Sequence, residues 1–195
     1  MKKLKIAFQG EMGAYSHIAC EELFPGSVIK ACPTFEETFK IAHDNEDYKI
    51  IIPIENSSAG RVADIHYLLP KYKLQIHAEH FQKVEHNLLV KQDAEPKDIK
   101  YVRSHAQAID QCQKIILKNK FKTIVSADTA GSAKELSKTN DNSIGAIASK
   151  LSAKIYGLKI LMKNIEDDSQ NTTRFIIMSR KISQPEYDKN KKYIT

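Results

Sequence analysis

The chain has no apolar run long enough to cross a membrane: the longest, Ile50-Ile51-Ile52-Pro53-Ile54, falls far short of the roughly 20 residues a span requires. Nor does its start resemble a secretory leader, because the apolar residues after Met1-Lys2-Lys3 give way at Gln9 and Glu11. A cytoplasmic location without membrane contact is the expectation. Cysteine is also scarce. Cys20, Cys32 and Cys112 are widely spaced and form no Cys-x-x-Cys pair, so neither a disulfide framework nor a zinc clamp is expected, only packed thiols. Arginine is rarer than lysine: of 30 basic residues only Arg61, Arg103, Arg174 and Arg180 are arginines. The net charge of +6 is scattered, and no stretch interleaves dense basic residues with aromatics. Nucleic acid is therefore not an expected partner, whereas a small anionic substrate suits the balance.

What the chain does have is a globular composition, with 42% hydrophobic and 28% charged residues over 195 positions. That length fits one domain or two small lobes. Short apolar runs alternate with amphipathic stretches. Leu4–Phe8 reads as a strand, then a loop with Gly10 and Gly13, then a helix near Ser16–Leu23 with Ser16 as N-cap. After a strand at Val28–Ala31, Thr34 and Glu37 make a capping box that opens a helix to about His43. Lys49–Ile54 reads as a buried strand, and Leu74–Val90 as a long extended crossing between lobes. Ile99–Arg103 is a strand and Gln107–Leu117 one amphipathic helix, with Ile109, Cys112, Ile115 and Ile116 on one face. The repeated strand–helix–strand order, closing with strands at Leu158–Met162 and Phe175–Met178, predicts an α/β protein with mostly parallel sheet. Gln184–Thr195 reads as a polar tail.

Sites in such folds gather in loops after the carboxyl ends of strands, and four loops here are rich in polar groups. Gln9–Ser16 carries two glycines, but their spacing matches no dinucleotide fingerprint. Glu55-Asn56-Ser57-Ser58-Ala59-Gly60-Arg61 offers an amide, hydroxyls and backbone N–H groups at a helix entrance, an anion cradle. Arg103-Ser104-His105-Ala106-Gln107 runs into a helix on which Gln107 and Gln111 share a face, supplying amides beside the Ser104 hydroxyl. Asn171-Thr172-Thr173-Arg174-Phe175 sets two hydroxyls beside an arginine suited to bidentate carboxylate binding, or to a surface ion pair. His77, His80 and His86 lack flanking carboxylates, and no metal site is expected.

In this order the loops resemble the prephenate dehydratase family, from Lys5 to about Arg180. The specific parts are Pro53-Ile54-Glu55-Asn56-Ser57, Ser104-His105-Ala106-Gln107, Ala127-Asp128-Thr129-Ala130, Ala146-Ile147-Ala148 and Asn171–Phe175. The resemblance implies two lobes of the type II periplasmic-binding-protein kind with a cleft between them: residues 1–79 and 174–183 in one lobe, 80–173 in the other. It implies decarboxylating dehydration of prephenate to phenylpyruvate, a carbon–oxygen lyase reaction that needs no cofactor, in a homodimer. Thr173 would be the catalytic hydroxyl, with Ser104, Gln111 or a bound water recycling its proton. Arg174 would hold substrate carboxylate and Phe175 would shape the wall. Asn56, Gln107 and the neighbouring Ser57, Ser58, Gly60 and Thr172 would contact substrate. Ala14 and Ala106 depart from the usual Thr and Pro of the pattern. With Lys5 already in the first strand and a short tail after Arg180, neither an ACT regulatory domain nor a chorismate mutase domain is expected, and phenylalanine inhibition is expected to be weak. Arogenate dehydratase and a non-catalytic carboxylate- or amino-acid-binding protein are the alternatives.

Overall fold

The computed structural model describes residues 3–181; the polar tail expected at 184–195 lies outside them. The chain builds two sheets and passes between them twice. The first lobe contains β1 (Lys5–Gln9), α1 (Tyr15–Leu23), β2 (Val28–Cys32), α2 (Phe35–Asp44), β3 (Tyr48–Asn56), β4 (Gly60–Arg61), α3 (Ala63–Tyr72) and β5 (Gln75–Lys83). The second holds β6 (Asn87–Val90), β7 (Tyr101–His105), α4 (Ala106–Asp110), α5 (Gln113–Asn119), β8 (Lys122–Ser126), α6 (Thr129–Lys138), β9 (Ile144–Ala148), α7 (Lys150–Tyr156) and β10 (Lys159–Met162). The chain then returns to the first sheet as β11 (Thr172–Ser179).

The strand orders are β2-β1-β3-β11-β5, with β4 on β3, and β10-β6-β9-β7-β8. Both sheets are mixed rather than mostly parallel: β1 with β2 and β3, and β7 with β8 and β9, pair parallel, while the remaining pairings are antiparallel. In the second sheet β6, the strand that enters from the first lobe, runs antiparallel to β9 and β10, and in the first sheet the returning strand is the reason. β11 enters from the other lobe and runs antiparallel between β3 and β5. The long extended stretch is likewise two strands in two sheets. β5 continues in the first sheet to Lys83, so the chain crosses at 84–86 rather than at 79/80, and it returns over 163–171, before Thr172 and Thr173 join the first sheet.

Thr34 caps α2 as its pattern indicates, its hydroxyl accepting from Glu37 N–H at 3.1 Å. Ser16 does not cap α1. The N-cap is Ala14, and Ser16 lies inside the first turn. The helix expected over Gln107–Leu117 breaks at Gln111 and Cys112, giving α4 and α5.

Each sheet has cores on its faces. Phe39, Ile50, Ile52, Ile176 and Met178 fill one side of the first, and Phe8, Ile51, Phe175 and Ile177 the other. Complete burial of Ile50, Ile51 and Ile52 in β3 stabilises by roughly 1.5–3 kcal/mol each, which holds Asn56, at the end of that strand, in a fixed place. Cys20, Cys32 and Cys112 are free and buried. Burial pushes the Cys20 thiol up to about 12, so it is inert packing. No helix among the described residues is long and apolar enough to cross a membrane.

Candidate active site

β3 and β11 pair so that Asn56 stands opposite Thr173. Both side chains line a cavity of about 240 Å³ between the two sheets, together with Tyr15, His86, Gln107, Gln111 and Phe175. Larger hollows exist, such as one of about 630 Å³ beside Pro33 and Tyr67. A second hollow between the lobes, of about 550 Å³, is lined by charged side chains such as Glu21, Glu22, Lys83, Lys150 and Lys154, but the Asn56–Thr173 pair lies in the smaller cleft.

Asn56 is the hub. Its Oδ1 accepts from the backbone N–H groups of Ser58 (3.0 Å) and Ala59 (2.8 Å), which can only donate, so its Nδ2 must face the other way. That amide donates to Thr173 Oγ1 (2.9 Å), to Asn171 Oδ1 (2.8 Å) and more weakly to the Thr172 carbonyl (3.3 Å). The order then propagates. Asn171 Nδ2 donates to Gln111 Oε1 (3.0 Å), and the same oxygen lies 2.9 Å from His86 Nε2. Because Gln111 Oε1 only accepts, neutral His86 must carry its proton on Nε2. Nδ1 therefore accepts from the Tyr15 hydroxyl (2.9 Å), whose proton is shared with the Glu85 carbonyl (2.8 Å). Burial lowers the His86 pKa and keeps the ring neutral, while the Gln111 contact opposes this more weakly. Burial also holds the Tyr15 hydroxyl well above its ordinary pKa, reinforced by Glu166.

One consequence bears on chemistry. Thr173 is 9% exposed and its oxygen already accepts from Asn56. Its own proton is committed to no group among the described residues and is available to whatever fills the cleft.

The structure brings together Asn56, Gln107, Gln111, Thr173 and Phe175, and places the other expected residues elsewhere. Arg174 follows Thr173 and so points to the opposite face of β11. There its guanidinium pairs with Glu79 on β5 (2.6 and 2.8 Å) and lies 5.9 Å from the Phe81 ring centroid. It is not in the cleft lining, so of the two readings it is the surface ion pair, formed with Glu79. Ser104 is fully buried and donates to the Ile147 carbonyl at 2.7 Å, which leaves it no route to Thr173. Ser57 and Thr172 hold each other: Ser57 Oγ accepts from Thr172 N–H at 3.0 Å, and Thr172 Oγ1 donates to the Gln170 carbonyl. Ser58 turns to a hollow lined by Asp110, Glu166 and Asp167, and Gly60 serves the turn into β4 with a φ of +81°. Among these, Ser58 reaches the site only through its backbone N–H on Asn56. Arg103 likewise stays out of the cleft lining and pairs with Glu135 at 2.8 Å.

Sequence reasoning missed Tyr15, His86 and Asn171 as site residues. His86 was set among the extended-segment histidines, yet it directly precedes the wholly buried strand Asn87–Val90, where a buried imidazole requires partners. No group of three or more His, Cys, Asp or Glu residues that could hold a metal ion occurs among the described residues.

A family model described as prephenate dehydratase matches residues 6–183. The chain is 43% identical over 176 residues to a bifunctional N-acyl-homoserine lactone acylase/prephenate dehydratase of Komagataeibacter europaeus, covering 90% of this chain and 63% of that protein. It is 39% identical over 187 residues to the chloroplastic arogenate dehydratase/prephenate dehydratase 1 of Arabidopsis thaliana, covering 96% of this chain and 48% of the relative. The solved prephenate dehydratase of Arthrobacter aurescens, in complex with L-Phe, superposes with a TM-score of 0.86 at 25% identity, over 94% of this chain and 62% of that one. The chain thus spans about half to two thirds of the length of these relatives. With the cleft between two α/β lobes and the Asn56–Thr173 pair at its floor, the chain belongs to the prephenate dehydratase family.

Proposed function

We propose that this chain is a prephenate dehydratase, a carbon–oxygen lyase that converts prephenate to phenylpyruvate in aromatic amino-acid biosynthesis. The observation that carries the reading is the Thr173 hydroxyl, its oxygen held by Asn56 and its proton left for the cleft.

In the reaction the bond from the ring to its carboxylate breaks and releases carbon dioxide. The electron pair moves through the ring, and the C4–oxygen bond breaks. The leaving hydroxide takes up one proton and departs as water, so phenylpyruvate, carbon dioxide and water account for every atom. Aromatisation supplies the drive. Thr173 donates toward the departing oxygen, a role worth roughly 10²–10⁴-fold. An unassisted threonine is a very weak acid, so much of the benefit comes from a donor already oriented before charge develops. Ser104 and Gln111 make no contact with Oγ1, and solvent entering the cleft returns the proton.

The test compares Thr173→Val with Thr173→Ser, measuring phenylpyruvate by its absorbance in alkali. Valine should lower kcat at least about 100-fold with the fold retained, and serine should keep partial activity. Near-normal turnover by the valine variant would remove the hydroxyl from the mechanism. Running prephenate and arogenate side by side compares kcat/KM for the two substrates that the relatives' names carry. The reading includes a cytoplasmic homodimer. The outer strand β5, with Ile76 58% and Phe81 59% exposed, supports self-association, and light scattering of the purified chain decides it.

A further inference from the structure

A substrate with two carboxylates meets a cleft whose described lining contains no lysine or arginine side chain and does contain Asp128. Its charge must be answered by something other than a cation. The helices that open on the cleft differ in what their first N–H groups do. At α4 the His105 ring accepts from Gln107 N–H (3.3 Å), and at α6 the Asp128 carboxylate accepts from Gly131 N–H (2.6 Å). At α1 the N-cap is Ala14, which has no side chain able to cap. Gly13 N–H is taken by His17 Nδ1 (3.0 Å) and Ala14 N–H by the Glu11 carbonyl (3.1 Å). The N–H groups of Tyr15 and Ser16 have no acceptor among the described residues, and both residues line the cleft.

An open helix end by itself proves little, but a second observation points the same way. Ser16 is only 8% exposed, lines the cavity, and its hydroxyl has no hydrogen-bond partner among the described residues. Its Oγ is not one of the sealed unpaired atoms, which among the described residues are Ser27 Oγ and Arg103 Nε, so the remaining exposure of this otherwise buried side chain presents the free hydroxyl to the cavity. The loop that carries this end is firmly seated. The Gly13 carbonyl accepts from Ser149 Oγ (2.5 Å) and Ser152 Oγ (3.0 Å), and the Met12 carbonyl accepts from the Tyr156 hydroxyl (2.8 Å), all across the lobe boundary.

Resting on the dehydratase reading, we propose that the N–H groups of Tyr15 and Ser16 and the Ser16 hydroxyl form the subsite for the substrate's side-chain carboxylate, the one retained in the product. Three donors and the positive end of a nine-residue helix suit a permanent anion. The same field on the ring carboxylate would oppose its departure as neutral carbon dioxide. Assigning the strong anion site to the retained group keeps the leaving one loosely held.

The experiment measures KM, kcat and thermal midpoint for Ser16→Ala, Ala14→Asp and Ala14→Asn. Loss of one hydrogen bond to a charged group should raise KM about tenfold for Ser16→Ala, with kcat within about threefold. Ala14→Asp supplies a cap and a negative charge to the same N–H groups, so the thermal midpoint should rise while KM rises by more than about tenfold. Ala14→Asn caps without charge, and its KM should fall between. Stability and affinity moving in opposite directions is a signature that a merely structural role does not give. Unchanged KM in Ser16→Ala and Ala14→Asp, with wild-type turnover intact, overturns the subsite alone. No wild-type turnover overturns the dehydratase reading, and the subsite is then judged by calorimetric titration with phenylpyruvate. Weaker binding to Ala14→Asp upholds it; equal binding, or none to the wild type, overturns it.

Discussion

At the scale of single residues, the site is ordered by groups that cannot reverse their role. Two backbone N–H groups fix the Asn56 amide, and that choice passes through Asn171 and Gln111 to set the tautomer of His86. Protonating His86 would make Nδ1 a donor to the Tyr15 oxygen, whose own proton would go wholly to the Glu85 carbonyl, so what opposes the charge is burial and not a lost hydrogen bond. The expected pH dependence follows from the direction of its shift. Burial lowers the pKa of His86, and of His17, below the ordinary value of 6.5, so on acidification the unfolded chain takes up these protons first. Their contribution to stability is fully present above about pH 6.5 and is lost as pH falls from there toward the folded-state values. Thermal midpoints recorded from pH 7.5 down to 5 should decline below about 6.5. The decline should be shallower in His86→Gln, which retains an amide donor but has no proton to gain in that range. An equal slope in that variant would show that His86 does not govern the titration.

At the scale of elements, alternation along one strand separates chemistry from support. Thr173 and Phe175 face the cleft, and Arg174 between them faces Glu79 across β5. Arg174→Lys should therefore leave KM for prephenate within about threefold, since it replaces one half-exposed ion pair with another worth at most about 1 kcal/mol. A rise in KM of tenfold or more would return the guanidinium to the substrate. The strands and most helices were legible in the sequence because period and capping are local: Thr34 and Glu37 announced α2, and the isoleucines of β3 announced a buried strand. The polar loops Asn56–Arg61 and Asn171–Phe175 were legible as candidates for the same reason, and of them Asn56, Ala59, Thr173 and Phe175 line the cleft. What local pattern does not encode is pairing. That β11 returns antiparallel between β3 and β5 is a long-range event, and it alone places Asn56 beside Thr173 and Arg174 beside Glu79. The break at Gln111 and Cys112 escaped notice because apolar spacing continues through it, while the Gln111 side chain is drawn to His86 and its carbonyl to Asp167 N–H. His86 was hidden for a related cause, since its partners lie 71 and 25 residues away.

At the scale of the whole molecule, the cleft depends on how the two lobes seat against each other, and one glycine sits at that contact. Gly13 has a φ of +95°, and a Cβ built on it would stand 2.5 Å from Ser152 Oγ and 2.9 Å from Ser152 Cα, on α7 of the other lobe. The carbonyl of the same residue receives both the Ser149 and Ser152 hydroxyls. Adding a methyl there does two things: it strains the backbone by about 1–2 kcal/mol, and it pushes the lobes apart against backbone as well as side chain. Gly26 separates the two effects, because its φ of +77° carries the same kind of strain with open space around it. Gly26→Ala should cost only the strain term and leave KM unchanged. Gly13→Ala should cost roughly 1–3 kcal/mol more in chemical denaturation. It should also raise KM, because displacing the Met12–Ala14 loop moves the entrance of α1 relative to Thr173. Equal losses in the two variants, with KM unaltered in both, would mean that the lobes adjust freely around residue 13 and that their seating does not set the geometry of the cleft.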